Sequence, residues 1–433
     1  MKIPGRNGSK MKRNELTHRL MDDDTRSRAE IAAALATYMY VITRVNAPDG
    51  ATVAQIIDSV DSGEDRVKRA AAYLAFRAAA LKHRREMMGL RLCLQSRLMN
   101  GVLSGARAAV FAQGEHVYVA YRGTDDLEWT DNGMGMFERS TRLQRLAVMY
   151  FDVAVQRLGL DESCLITVCG HSKGGNKAQF VMLDSDSAGL IDSCWSFDGQ
   201  GFSPEAIEYY KDKLGKEYRR RRARMFSVCG ENDYVNPLGN RIIPASKTYY
   251  LETPRATLES FLSNHIVENL WVKGEEGFTG SLNTESGCGD LCRFSGRLSR
   301  SIMALPVDER QNVAMTVTRI IENMDGERVS GNDRSSGDAV RALISAIPGA
   351  LMSLFLSVEG RRLAVGYADI FTKSKKRDDS DEGFWRRAAK RLKNAALHVL
   401  LTLASIILAV PTAAVWIYSA LRRKFSRKRN RDI

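Results

Sequence analysis

Apolar and polar residues alternate along this chain in two rhythms, and the changes between them mark the elements. The runs Ala106–Ala112 and His116–Tyr121 are strand-like and are separated by Gln113-Gly114-Glu115, which predicts a β-hairpin. Helical spacing follows from about Thr141 to Leu158, then an apolar run at Leu165–Cys169 and an alanine-containing helical stretch after Ser172. A strand near Cys194–Phe197, a charged helix over Pro204–Arg222 and a strand at Met225–Cys229 complete the series. Strands alternating with helices predict the α/β class: a mainly parallel sheet with helices on both faces. Residues 29–98 are rich in alanine and arginine at helical spacing, as in Val67–Phe76, and predict helices packed on the edge of the same domain. The domain is expected to span 29–275, behind a polar leader at 1–28.

Beyond Gly274 the pattern changes. Residues 274–294 are rich in glycine and serine, helical patterns follow at about 296–324 and 338–371, and 373–382 is wholly polar. This predicts a helical extension over 276–382, in which Ala342–Val358, broken by Pro348-Gly349, reads as a core or surface helix, with a second span as the alternative. The last segment, 383–433, differs again. Ala395–Leu421 holds 27 residues without a formal charge, and about 20 apolar residues suffice to cross a bilayer. Trp416 and Tyr418 stand where interfacial anchors would, and Pro411 leaves room for a kinked or re-entrant path. Arg386, Arg387, Lys390, Arg391 and Lys393 precede the run; Arg422, Arg423, Lys424, Arg427, Lys428 and Arg429 follow it. A basic-flanked transmembrane or membrane-associated segment, seated against anionic lipid headgroups, is the expectation.

Composition narrows the picture in three ways. With 433 residues, 44% hydrophobic and 27% charged, the chain is globular and large enough for one main domain with appendages. Its net charge of +13 is lopsided: from Asp381 onward 12 Lys/Arg face 3 Asp/Glu, leaving only +4 for the first 380 residues. The basic character therefore belongs to the tail and gives no reason to expect nucleic-acid binding. Of seven cysteines, Cys164, Cys169, Cys194 and Cys229 lie in or beside strand-like runs, as reduced thiols in a cytosolic environment do. Cys288 and Cys292 sit in the glycine- and serine-rich stretch without the further ligands that a zinc site needs, so no metal is expected. The N-terminus lacks the apolar core of a secretory signal, and a cytoplasmic main domain is expected.

The chemistry concentrates at Leu165–Asn176, where an apolar run delivers Gly170-His171-Ser172-Lys173-Gly174 and a helix follows. Gly-x-Ser-x-Gly between strand and helix is the form of a nucleophile elbow: Gly170 and Gly174 leave room for a strained turn that lifts the Ser172 hydroxyl above the sheet. A serine nucleophile needs a base, and the base an orienting acid. Of six histidines, His398 is in the apolar run, His18 and His83 are in the N-terminal region, His116 starts the hairpin, and His171 adjoins the serine. Adjacent residues on an elbow point apart, so His265, on a loop after the last predicted strand, is the candidate base. Asp233, just past the Met225–Cys229 strand, is the preferred acid, and Asp198, at the end of the preceding strand, is the alternative. The oxyanion donors are expected to be the N–H of Lys173 and that of Thr124, in the turn after the hairpin; an ordinary capping turn is the alternative reading there.

Tyr121-Arg-Gly-Thr124, the Gly170–Gly175 elbow, Glu231-Asn-Asp233 with Pro237-Leu238, and His265 near Trp271 together resemble the α/β-hydrolases of the fungal-type (class 3) lipase group. The likeness is closer to a bacterial lipase-like family of unassigned substrate, with its Arg-Gly-Thr-Asp-Asp and Gly-His-Ser-Lys-Gly-Gly-Asn motifs. It covers roughly 20–275, with a weaker echo to about 330. The resemblance implies that Thr124 supplies an oxyanion donor and that the acid follows the serine by about sixty residues, which favours Asp233 over Asp198. Lys173 replaces the leucine common in true lipases and sets a charge where an acyl chain would pass. Trp129–Phe137 lies where lipases carry a lid; its glycines and methionines suit a mobile apolar flap, and a plain loop is the equal alternative.

The expected activity is that of a serine hydrolase cleaving an acyl ester, foremost a lipid or phospholipid ester at a membrane, without a cofactor. A catalytically degenerate module that scaffolds partners at a membrane is the competing expectation. The sequence leaves thioester or peptide substrates, membrane topology and oligomeric state open.

Overall fold

The computed structural model describes residues 20–63, 66–96, 107–123, 129–254, 262–315 and 318. All of these fall within 1–363, the first of two units into which the chain divides. The apolar run 395–421, its basic flanks and the helical pattern at 338–371 lie outside the described residues. Among the described residues, no helix is long and apolar enough to cross a membrane.

The strands are β1 (Arg91–Gln95), β2 (Ala108–Gln113), β3 (His116–Tyr121), β4 (Leu165–His171), β5 (Ile191–Phe197), β6 (Met225–Gly230), β7 (Thr248–Leu251), β8 (Trp271–Gly274), β9 (Gly277–Leu282) and β10 (Glu285–Ser286). Eight of them form one sheet in the order β1-β2-β3-β4-β5-β6-β7-β10. The five from β3 to β7 run parallel, and the strands added at both edges are antiparallel. β8 and β9 form a separate hairpin. The helices are α1 (Asp23–Tyr38), α2 (Ile42–Val45), α3 (Val53–Ser62), α4 (Ala71–Lys82), α5 (Arg84–Met87), α6 (Trp129–Met134), α7 (Arg142–Leu158), α8 (Lys173–Asp184), α9 (Pro204–Leu214), α10 (Lys216–Arg222) and α11 (Asp290–Met303).

Period-two alternation in the strands divides the interior. Val110, Val119, Val168 and Cys194 face a core shared with α7, α8, α9 and α10, while Ala109, Phe111, Ala120, Cys169 and Trp195 face another shared with α1, α3 and α4. The mainly parallel α/β sheet with helices on both faces is thus the observed fold. The N-terminal helices differ from expectation. α1 does not sit at an edge; its buried run Ala29–Ala36 lies on the sheet face, where small side chains allow close approach. The charged helix also divides, because Gly215 takes φ 51° and ψ −117° between α9 and α10. The glycine- and serine-rich stretch 274–294, expected to open a helical extension, instead contributes β9, β10 and the start of α11.

Trp129–Phe137, the segment at the lid position, is no free flap. Met136 is buried against Ile302, Met303, Val313 and Ala314, and Phe137 packs on the same cluster.

One charged cluster ties α1 in place. Glu30, 1% exposed, accepts from Lys82 Nζ at 2.6 Å and the Leu282 N–H at 3.1 Å, and pairs with His83 Nε2 at 2.7 Å. Burial alone would raise its pKa, but His83, Lys82 and the Leu282 N–H outweigh it and hold the carboxyl below the usual glutamate value. Replacing one member of such a cluster strands the others. Glu30→Ala is therefore expected to cost about 3 kcal/mol in urea denaturation; a loss under about 1 kcal/mol would mean that apolar packing alone holds α1.

Candidate active site

Ser172 stands at the junction of β4 and α8 with φ 58° and ψ −127°, a conformation that costs a non-glycine residue about 1–3 kcal/mol. Its neighbours show why the turn is possible. A Cβ on Gly170 would lie 2.4 Å from the Gly174 carbonyl carbon, and one on Gly174 would lie 2.2 Å from the Tyr121 carbonyl oxygen. Hydrogen alone fits at both positions, so strand and helix close to contact and the serine is pushed out at the crest. The Ser172 N–H donates to the Phe197 carbonyl at 2.8 Å, fixing the crest to β5.

Three side chains from distant parts of the chain meet there. His265, in a short 3-10 turn (Leu262–His265), brings Nε2 to 2.7 Å from Ser172 Oγ. Its Nδ1 is hydrogen-bonded to Asp233 Oδ2. Asp233 is fully buried in the turn after β6, and its Oδ1 accepts from the backbone N–H groups of Val235 at 2.8 Å and Asn236 at 2.7 Å. Those bonds orient the carboxylate toward the imidazole. Burial disfavours a charged His265, but the Asp233 carboxylate and its hydrogen bond, with a smaller contribution from Asp198, outweigh that and raise its pKa above the ordinary histidine value.

Asp198 is also brought to this end of the sheet, at φ 48° after β5. Its Oδ1 accepts from the Gly230 N–H at 2.7 Å and the Asn236 side-chain amide at 3.1 Å, bridging the ends of β5 and β6. Burial, reinforced by the charge of Asp233, lifts its pKa to about 8. The two acids thus separate by environment: Asp233 bonds the imidazole, and Asp198 is a brace between β5 and β6 that burial biases toward its neutral form.

Lys173 opens α8, so its backbone N–H stands at the helix N-terminus directly after the serine. Thr124 lies outside the described residues. The chain leading to it is in place: a Cβ on Gly123 would lie 2.2 Å from the Tyr40 hydroxyl and 2.9 Å from the His171 carbonyl oxygen, so the end of β3 abuts the elbow. The Lys173 side chain corrects an expectation. Its ammonium is buried and makes an ion pair with Asp131 Oδ2 at 2.7 Å, also donating to the Asp131 carbonyl at 3.1 Å. Asp131 accepts in turn from Thr141 Oγ1 and the Leu143 N–H. The charge is neutralised by Asp131 of α6, so the Lys173 side chain is not a free cation.

Sequence reasoning missed three supports: His171, Tyr40 and Asn236. The His171 imidazole stacks on that of His265, with centroids 4.9 Å apart and planes at 28°. It is held by Tyr40, whose hydroxyl is 2.7 Å from His171 Nδ1. Burial, and then the nearby His265, push the His171 pKa well below the ordinary value, so it is a neutral ring against which His265 can charge. The signal for His171 was present in the elbow motif; Tyr40, 131 residues away, gave none. Among the described residues, no group of three or more His, Cys, Asp or Glu side chains is arranged to hold a metal ion.

The sequence model of a family described as Mbeg1-like matches residues 98–235, the stretch that runs from before β2 through the elbow to the Asp233 turn. No curated protein matches the chain. Among solved structures, a fungal lipase–inhibitor complex is similar at 12% identity and a TM-score of 0.32, covering 54% of this chain and 81% of that one. A mutant MDLA of Penicillium cyclopium is similar at 15% identity and a TM-score of 0.35, covering 55% and 83%. The Rhizomucor miehei lipase in complex with its propeptide is similar at 12% identity and a TM-score of 0.33, covering 57% and 78%.

The environments of the two acids generate a sharp contrast. Asp233→Asn is expected to slow covalent labelling of Ser172 by a fluorophosphonate about 10⁴-fold, because the amide favours the wrong imidazole tautomer. Asp198→Asn, which replaces a carboxyl biased toward its neutral form, should leave the labelling rate within a few fold. Equal losses in both variants would remove the distinction.

Proposed function

We propose that this chain is a serine hydrolase of carboxylic esters, working through an acyl-enzyme on Ser172. The observation that carries the reading is the imidazole of His265, 2.7 Å from the serine hydroxyl through Nε2 and bonded to a buried carboxylate through Nδ1. In this scheme Ser172 Oγ attacks the ester carbonyl while His265 Nε2 takes its proton. Asp233 balances the imidazolium, whose charge the dry surroundings would otherwise oppose. The tetrahedral oxyanion is stabilised by the Lys173 N–H at the α8 N-terminus and by the N–H of Thr124. The imidazolium then gives its proton to the departing alcohol. Water, deprotonated by the same imidazole, attacks the acyl-enzyme; collapse of that second tetrahedral intermediate frees the acid and returns the proton to Ser172.

A lipid or phospholipid ester is the proposed substrate class. Two features support it. The uncharged run 395–421 between basic clusters would hold the main domain, on the cytoplasmic side, against anionic headgroups. The burial and pairing of Lys173 also remove the charge that would have argued against an apolar acyl group. We assign the chain accordingly, with the main domain widened at both ends: a polar leader ending before α1 (Asp23–Tyr38), the hydrolase domain from there through β10 (Glu285–Ser286), a helical extension to 382 and a membrane-seeking segment at 383–433.

The test is fatty-acid release from anionic phospholipid vesicles by the full-length protein. Ser172→Ala should lower the rate at least about 10³-fold, and deleting 383–433 should depress vesicle hydrolysis while sparing a soluble short-chain ester. Undiminished release by Ser172→Ala would refute the assignment.

A further inference from the structure

A second pair of reactive side chains lies behind the Asp233 turn. Cys288 and Cys292 are four residues apart across the first turn of α11, whose N-cap is Gly289. Both are free thiols, with sulfurs 2.8 Å apart. A disulfide bond is about 2.0 Å long, so closure asks for roughly 0.8 Å of movement.

The two thiols differ in ways that divide the work. Cys288 is half-buried and reachable, whereas Cys292 is 2% exposed. Cys292 lies with its Sγ 3.6 Å from the Asn236 side-chain oxygen. Around Cys288 gather the guanidinium groups of Arg293 and Arg241 and the hydroxyl of Tyr250, to which Arg241 donates at 3.0 Å. Hydrogen bonding from Cys292, with smaller help from Tyr250 and the two arginines, overcomes burial and brings the Cys288 pKa down to about 7. Cys292 is shifted upward, by its hydrogen bond with Cys288 and by burial. The strand cysteines Cys93, Cys169, Cys194 and Cys229 are all shifted upward by burial.

The geometry points to Cys288 and Cys292 as a reversible dithiol–disulfide site, with Cys288 the attacking sulfur, Cys292 the resolving sulfur and a small disulfide such as glutathione disulfide the oxidant. The Cys288 thiolate attacks one sulfur of the oxidant and expels the other half as a thiolate, leaving a mixed disulfide. Cys292 then loses its proton to that thiolate and attacks Cys288 Sγ, expelling the second half, which takes a proton from water. Two protein thiols are oxidised, and one small disulfide is reduced to two thiols. Closure of the ring removes the Cys292 S–H beside Asn236, the residue whose backbone N–H orients Asp233 and whose side chain braces Asp198. The Gly289 N–H, within the ring, also donates to the Glu231 carbonyl at 2.8 Å. The redox site is thus built onto the loop that carries the acid.

The test uses the full-length protein, reduced and then equilibrated over a series of glutathione to glutathione disulfide ratios, acid-quenched and alkylated. Both cysteines fall in one tryptic peptide, 274–293. That peptide is expected to lose two hydrogen masses and escape alkylation as the ratio turns oxidising, and to recover with dithiothreitol. Cys292→Ser should instead accumulate a glutathione adduct on Cys288, and Cys288→Ser should abolish oxidation of the peptide. Full alkylation of the wild-type peptide at every ratio, or a persistent adduct without ring closure, would overturn the assignment. Because the readout is a covalent mass, it is independent of turnover at Ser172.

Discussion

Contact between β4, α8 and the end of β3 is the constraint from which the rest of the site follows. Tyr121, Gly170 and Gly174 approach so closely that no side-chain carbon fits between them, and Ser172 takes the strained turn that results. Without that approach the serine would sit inside the helix like any other first-turn residue. With it, the hydroxyl stands at the carboxyl edge of a parallel sheet, where the loops after β6 and β7 also arrive. The two cores on either side of the sheet hold the contact shut: α1 presents an alanine face from below, and α7 and α8 pack from above.

Electrostatics then sorts a crowded set of ionisable groups. Two carboxyls and two imidazoles are buried together, and all four cannot be charged in so dry a place. Asp233 accepts two backbone N–H bonds and the imidazole, which suits the anion. Asp198 is pushed toward its neutral form, as is His171. His265, by contrast, is raised above the ordinary histidine value by the Asp233 carboxylate, which makes it the stronger base of the two imidazoles. The buried Lys173–Asp131 pair extends the logic to α6, since the residue after Ser172 is itself tethered to that helix.

The elbow, Asp233 and His265 were legible in the sequence because each carries chemistry at a strand end, and strand ends of a parallel sheet converge. Other parts were silent for physical reasons. β7 has four residues and β10 two, and they exist as strands through pairing with neighbours rather than through any pattern of their own. Adjacency suggested that His171 points away from Ser172; what sequence could not show is that His265 would come to lie on its ring. Asp131 read as part of a lid, and only the fold reveals that it neutralises Lys173. The alanine run of α1 did hold a clue, since a helix so poor in bulk gains most by packing flat on a sheet.

The chemistry proposed for Ser172 requires that the buried Asp233 carboxylate make His265 a stronger base. NMR titration of a selectively labelled His265 reports this most directly. The account predicts protonation above the ordinary histidine value of 6.5, moving downward in Asp233→Asn as burial prevails. An imidazole that titrates at or below that value, and is indifferent to Asp233→Asn, would contradict it.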